Sequence, residues 1–249
     1  MTAKFWGSVL ISSSIALASC DGSLKSQDVW KTIDNVANGI NTANGGGISN
    51  DQVIAGLKEA LNIGTLKGSS KLNLEDGFFK DAAVKILIPP DAQKAEQRLR
   101  SLGMNALCDK AILTINRGAE NAASQASPIF TNAIRQMSFT DAMGILKGGG
   151  TSATDYLKRT CTSQLTTAFR PIIESSLKNT EATKYWGDVT STYNKIPLVT
   201  PVNTDLAGYV TGKAIEGLFL KIADEEKNIR TNPAARVSAL LQKVFGSVK

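Results

Sequence analysis

Hydrophobic side chains recur at every third or fourth position through most of the chain, which predicts amphipathic helices. The clearest case is the segment 104–122, in which Arg117 and Glu120 are assigned to the polar side. An earlier helix is expected to begin at the capping-box pattern of residues 49–52 and to end near Gly64. Because glycine-rich stops separate successive helical segments, the pattern predicts an all-α fold, a compact multi-helix bundle-like domain.

Two later helices contain residues that disfavour helix. Pro171 lies within a long helical pattern and is expected to bend or divide it, because proline donates no backbone hydrogen bond. Gly208, Gly212 and Gly217 each weaken a later helix by about 1 kcal/mol relative to alanine. Packing has to compensate for this loss, so we expect that helix to be central and closely approached by its neighbours.

Residues 68–90 depart from the helical pattern and predict one short irregular or β-hairpin segment. Its turn signal is Asp76-Gly77, and the apolar residues before the following prolines are typical of extended chain. Phe78 and Phe79 follow the turn, and adjacent residues of a strand point to opposite faces. One ring is therefore a candidate for a lip that contacts a ligand or partner. The alternative is that both rings are buried, because the segment is irregular.

The first residues are typical of an export signal. Lys4 precedes an uncharged, mostly apolar stretch that ends in Leu17-Ala18-Ser19-Cys20. This ending resembles the bacterial lipobox, in which the cysteine receives lipid and the chain is cut before it. The sequence therefore predicts a signal peptide over residues 1–19 and lipidation at Cys20. An ordinary signal peptide with a cysteine at the cut is the alternative.

The expected organisation follows from this signal. Residues 20–47 carry the lipidated cysteine and an N-terminal amphipathic helix or tether, and residues 48–249 form the helical domain. The protein is expected in the cell envelope, anchored by lipid and facing the periplasm. Asp21 resembles the retention signal of enteric inner membranes, but other bacteria read this position differently, so the choice of membrane stays open.

Composition excludes several kinds of chemistry. The chain has no histidine, which removes histidine-based nucleophile systems and the commonest metal ligand. We expect no metal and no cofactor. The net charge of +6 comes from scattered bases without interleaved aromatics, so nucleic acid is not an expected partner. Cys108 and Cys161 are candidates for a disulfide in an oxidising compartment, and separate burial as small apolar residues is the alternative.

Carboxylates are the remaining reactive groups. Glu75 and Asp76 lie in the irregular segment, and Glu225 ends the glycine-containing helix. Two carboxylates at a suitable separation can hydrolyse glycosides. Turn formation and salt bridging are the structural explanations for the same residues.

Several segments resemble, in order, the bacterial family called domain of unknown function 4197, from about residue 48 to residue 245. The resemblance implies an exported, mostly helical protein, often with a lipobox, and it implies no activity. The matching segments are 54–61, Glu75-Asp76-Gly77-Phe78-Phe79, Asn116-Arg117 with Ala119-Glu120, 136–139, 193–197 and 225–236.

These observations favour a non-enzymatic lipoprotein whose helical domain binds a partner protein or an apolar ligand beside the membrane. The alternative is a carboxylate-dependent hydrolase that acts on cell-wall sugars or lipids. A purely structural envelope component is a third interpretation.

Overall fold

The computed structural model describes residues 49–178 and 205–247. These residues form an all-α fold, and no β-strand occurs among them. Two short 3₁₀ helices, Pro90–Ala92 and Pro233–Ala235, connect longer helices. The α-helices in chain order are α1 (Asn50–Asn73), α2 (Gln93–Ser101), α3 (Asn105–Ala123), α4 (Ala126–Gln136), α5 (Phe139–Lys147), α6 (Ser152–Lys178), α7 (Leu206–Thr231) and α8 (Ala239–Ser247).

Helix α7 packs against α1, α3 and α6, which confirms the prediction of a central helix. Val210 and Leu218 on α7 are fully buried, and the Phe219 ring meets Phe130 of α4 edge-to-face at 5.9 Å between centroids. The expected close approach occurs at Gly217, where a Cβ would lie 3.0 Å from a ring atom of the loop before α2. At Gly212 a Cβ would meet nothing within 4 Å, so this glycine is not a packing requirement.

Helix α1 begins as predicted, with reciprocal hydrogen bonds between Ser49 and Gln52. The predicted end near Gly64 is wrong, because α1 continues to Asn73. A Cβ on Gly68 would lie 3.2 Å from the Ile222 side chain of α7. The glycine thus lets the two helices pack closely, and tertiary contact outweighs its low helix propensity.

Helix α6 runs without interruption through Pro171, so the proline does not divide it. Its inward side is apolar, with Leu157, Leu165 and Phe169 fully buried. This packing against α3 and α7 supplies the stability that the missing backbone hydrogen bond removes.

The predicted irregular segment is present as a loop, residues 74–89, that contains turns and no strand. Of the two predicted forms, the irregular one is therefore found, and its first residues 68–73 belong to α1. The end of the loop alternates: Val84 and Ile86 are buried, whereas Lys85 and Leu87 point to solvent. Such alternation is typical of an extended segment that packs one face against the hydrophobic core.

The predicted signal peptide, Cys20 and the amphipathic segment before residue 48 lie outside the described residues. Within 49–178 and 205–247, every helix is too short or too polar to cross a membrane.

Candidate functional site

The loop 74–89 is held by polar side chains that α3 directs toward it. Glu120 is 2% exposed and accepts hydrogen bonds from the backbone N–H groups of Phe78 and Phe79, both at 3.1 Å. The assignment of Glu120 to the polar side of its helix is therefore wrong. It lies four residues beyond Asn116, which itself lies four residues beyond Ile112, so all three belong to one buried stripe.

Asn116 fixes the second half of the loop. It is fully buried, and its side chain pairs with both backbone groups of Ile86. The Ile86 N–H donates to Oδ1 at 2.9 Å, and Nδ2 donates to the Ile86 carbonyl at 2.8 Å. The amide thus replaces the neighbouring strand that an extended segment normally has, because buried backbone groups need partners.

The turn before the phenylalanines allows little variation. Asp76 has φ of 67°, in the left-handed region that aspartate tolerates better than most residues. Gly77 follows it, and a Cβ there would lie 2.4 Å from the Lys71 carbonyl oxygen. The turn signal in the sequence therefore reflects a steric requirement at this position.

Arg117 connects the acidic groups around this turn. Its guanidinium contacts Glu120 at 2.5 Å, Asp76 at 2.8 Å and Glu75 at 3.1 Å. Lys80 also pairs with Asp76, at 2.8 Å. The Lys80 ammonium and then the Arg117 guanidinium lower the pKa of Asp76, which favours its charged form. A glycosidase acid needs the opposite shift.

The two phenylalanines proposed for a lip differ in their burial. Phe78 is fully buried, and Phe79 is partly buried beneath Lys85, whose Nζ lies 4.2 Å from the ring centroid. The exposed large apolar side chains of the loop are instead Leu74, which is 65% exposed, and Leu87, which is 51% exposed. The loop therefore exposes a leucine near each of its ends, whereas its phenylalanines are buried or partly covered.

A charged cleft of about 580 Å³ adjoins the loop. Asp76 and Glu225 both line it, whereas Glu75 does not and is exposed. Glu225 pairs with Lys71 at 2.6 Å. The structure thus brings two of the three candidate carboxylates to one cleft, each of them beside a cation. No group of three or more Cys, Asp or Glu in the described ranges is placed to hold a metal ion.

Glu226, next to Glu225, has a separate role. It is buried and accepts from the N–H groups of Ala153 and Thr154, at 3.0 and 2.8 Å. Arg230 binds the same carboxylate at 2.8 Å and also donates to the Ile145 carbonyl. This cluster fixes the start of α6 against α7 and α5.

Cys108 and Cys161 are both buried and carry free thiols, so the structure does not join them in the predicted disulfide. The alternative of separate burial describes them. Burial raises the pKa of each thiol, which disfavours the thiolate that a nucleophile needs.

Comparison with known proteins decides the family. A family model described as a protein of unknown function, DUF4197, matches residues 47–246. The chain belongs to this family. No curated protein and no solved structure matches it. In this DUF4197 chain, Asp76, Asn116 and Glu226 lie in segments that resemble the family. Asp76 and Asn116 help to hold loop 74–89, and Glu226 holds the start of α6.

Proposed function

We propose that the protein is an envelope lipoprotein, anchored through Cys20, whose helical domain binds a partner protein through loop 74–89. The single observation that carries the binding role is a long irregular loop held by buried polar side chains while its leucines face solvent. Loops longer than about 12–15 residues without secondary structure are usually functional when they are ordered.

The loop is suited to a protein partner because it is fixed in advance. Glu120 holds the first half of its backbone and Asn116 the second half, so little conformational freedom is lost on binding. Leu74 and Leu87 supply apolar area. Exposed apolar groups next to charged ones are typical of interaction surfaces.

An apolar ligand inside the domain is less well supported. The apolar cavity between α1 and α7 has a volume of about 20 Å³, and Leu61, Ile222 and Phe245 help to line it. Small-molecule sites usually have about 300–1,000 Å³. The cavity is close to the size of one water molecule.

Crosslinking in living cells tests the partner. A photoreactive amino acid replaces Leu87 in the full chain, and Val237 carries it in the control. Val237 is 58% exposed and precedes α8, which packs on Gly56 near the start of α1, whereas the loop follows the end of α1. We expect a discrete protein adduct at Leu87 only. Equal adducts at both positions, or none at Leu87, contradict the proposal.

The anchor is tested separately. The sequence ending in Cys20 supports it, since two or three acyl chains on one residue are enough for stable attachment. A Cys20→Ala chain is expected to lose labelling by palmitate and to leave the membrane fraction. Unchanged sedimentation with membranes would show that lipid on Cys20 is not the anchor.

A carboxylate-dependent hydrolase is the second candidate, favoured by the shared cleft of Asp76 and Glu225. Against it, Lys80 and Lys71 neutralise these two groups. Release of fragments from labelled cell wall, abolished by both Asp76→Asn and Glu225→Gln, would establish the enzyme. We expect no release above background.

A further inference from the structure

Helix α8 packs on α1 through apolar side chains. Leu241 and Val244 are fully buried, and Phe245 is 9% exposed. Gln242 and Lys243 lie between these residues in sequence and are exposed. The helix is therefore amphipathic, and its apolar side is covered by the domain on which it lies.

The stability of α8 depends on this packing because the helix is short. It has nine residues, and an isolated helix of fewer than about 12–15 residues is marginal in water. Its N-terminal cap belongs to the same segment, since the Ser238 hydroxyl accepts from the Leu241 N–H at 3.2 Å. The cap therefore moves with the helix and does not attach it to α1.

The chain just before α8 is fixed by Arg236. Its guanidinium donates to the carbonyls of Ile229, at 3.1 Å, and Arg230, at 2.9 Å, at the end of α7. Val237, which is 58% exposed, follows in the short link to α8. Gln242 spans the link by donating to the Arg236 carbonyl at 3.2 Å, but this bond is exposed and water can replace it. The geometry thus places a hinge at Val237.

The packing beneath α8 is close at one point and incomplete at another. Val244 lies against Gly56, where a Cβ would approach the valine Cγ2 at 2.7 Å. Phe245 borders the apolar cavity of about 20 Å³, which Leu57 and Ile222 also line. Atoms that line a cavity lose contacts that full packing would give them. Movement of α8 away from α1 would join this cavity to the surface as an apolar groove.

We infer that α8 is a detachable cover, which moves about Val237 as a unit while the other described helices stay folded. Such local opening requires less free energy than global unfolding. The start of α6 differs, because the buried Glu226 and its partner Arg230 attach it to α7 and α5. Access of apolar groups to the groove between α1 and α7 then depends on α8. This inference does not rest on the partner proposed for loop 74–89.

Thiol labelling of the full chain tests the cover. Leu241→Cys places a thiol on the buried side of α8, and the native Cys161 of α6, which is also fully buried, is the internal control. We expect Leu241→Cys to react with a water-soluble maleimide at least about 100-fold faster than Cys161, because local opening is enough to expose it. Urea should accelerate the labelling of Cys161 more steeply, because global unfolding exposes more surface. Equal rates with equal urea dependence would overturn the inference.

Hydrogen exchange of the unsubstituted chain controls for the loss of a leucine in that variant. Amides of α8 should exchange faster than those of α7 and respond less to urea. A disulfide between α8 and α1 should remove this difference. A Cβ on Gly56 would lie 3.4 Å from the Val244 Cβ, close to the roughly 3.5–4.5 Å of a disulfide.

We therefore expect oxidation of the Gly56→Cys, Val244→Cys chain to slow exchange in α8 to the rate of α7, and reduction to restore it. Exchange in α8 that is already as slow as in α7 without the disulfide would show that α8 opens only when the whole domain unfolds, and the inference would be wrong.

Discussion

Two buried glutamates make the same set of contacts but hold different kinds of segment. Glu120 on α3 and Glu226 on α7 each accept hydrogen bonds from two consecutive backbone N–H groups of a distant segment. Each also binds an arginine one turn away on its own helix, Arg117 or Arg230. Glu226 holds the start of a regular helix, whereas Glu120 holds an irregular loop.

The difference lies in what the held segment needs. The first N–H groups of any helix lack partners within the helix, and a carboxylate also interacts favourably with the helix dipole. Glu226 thus completes an element that is already regular. Loop 74–89 has no regular pattern of backbone hydrogen bonds, so Glu120, Asn116 and Gly77 must each satisfy a separate requirement. One site therefore serves stability alone, and the other also fixes the shape of a surface.

The largest expected effect is that of Glu226→Ala. The change leaves Arg230 without its carboxylate and removes the acceptor of Ala153, Thr154 and the Thr154 hydroxyl. Loss of one partner from a buried charge pair costs about 3–5 kcal/mol. Urea unfolding followed by circular dichroism measures the change in unfolding free energy. Glu216→Ala is the control on the same helix, since Glu216 pairs only at the surface, and it is expected to cost less than about 1 kcal/mol.

Glu120→Ala is expected to destabilise the domain less, by about 2–3 kcal/mol, because Arg117 keeps Asp76 and partial access to water. The effect that distinguishes this variant from Glu226→Ala is confined to the loop. Amide hydrogen exchange should accelerate across residues 74–89, and crosslinking at Leu87 should fall. Glu120→Gln is the matched control, because the amide oxygen can still accept from Phe78 and Phe79. Uniform acceleration across all helices would instead make Glu120 equivalent to Glu226.

Sequence periodicity predicts the helices better than it predicts their polar contacts. The helical pattern identifies α3, because its apolar residues repeat regularly. The same pattern misplaces Glu120, since a charged residue at the edge of an apolar stripe is ordinarily assigned to solvent. Its burial depends on a loop that comes from elsewhere in the chain, and periodicity within one helix contains no information about that loop.

The end of α1 was mispredicted for a related reason. Gly64 is a helix breaker when only propensity is considered. In the folded domain it faces Ile229 of α7, with a Cβ distance of 3.8 Å, and the helix continues. By contrast, the turn at Asp76-Gly77 was predictable, because its requirement is local: a left-handed residue followed by one without a Cβ.

A pair of glycine substitutions separates local requirement from packing. Gly77→Ala places a methyl group against the Lys71 carbonyl, and we expect it to destabilise the domain by more than about 1 kcal/mol. Gly212→Ala meets open space within a helix and is expected to stabilise by about 0.5–1 kcal/mol. Thermal unfolding of both variants checks the opposite signs. Stabilisation of both variants would mean that the turn adapts to a side chain, and destabilisation of both would mean that Gly212 is also required.

The smallest expected effect is the pH dependence contributed by Asp76. Its pKa is lowered in the folded protein by Lys80 and then by Arg117, below the ordinary aspartate value of 3.8. A lowered folded pKa stabilises the folded state above the unfolded value, and this contribution disappears as the pH falls through the folded pKa. Asp76→Asn keeps a residue that tolerates positive φ but removes the titration.

The unfolding free energies of wild type and Asp76→Asn are therefore expected to differ at neutral pH and to converge in acid. The difference is small because Lys80 is largely exposed, so water screens the pair. Urea titrations at a series of pH values measure it. A difference that stays constant from neutral to acid pH would mean that Asp76 acts through the geometry of the turn alone. The Asp76 carboxylate would then have a structural role only, like that of Glu226.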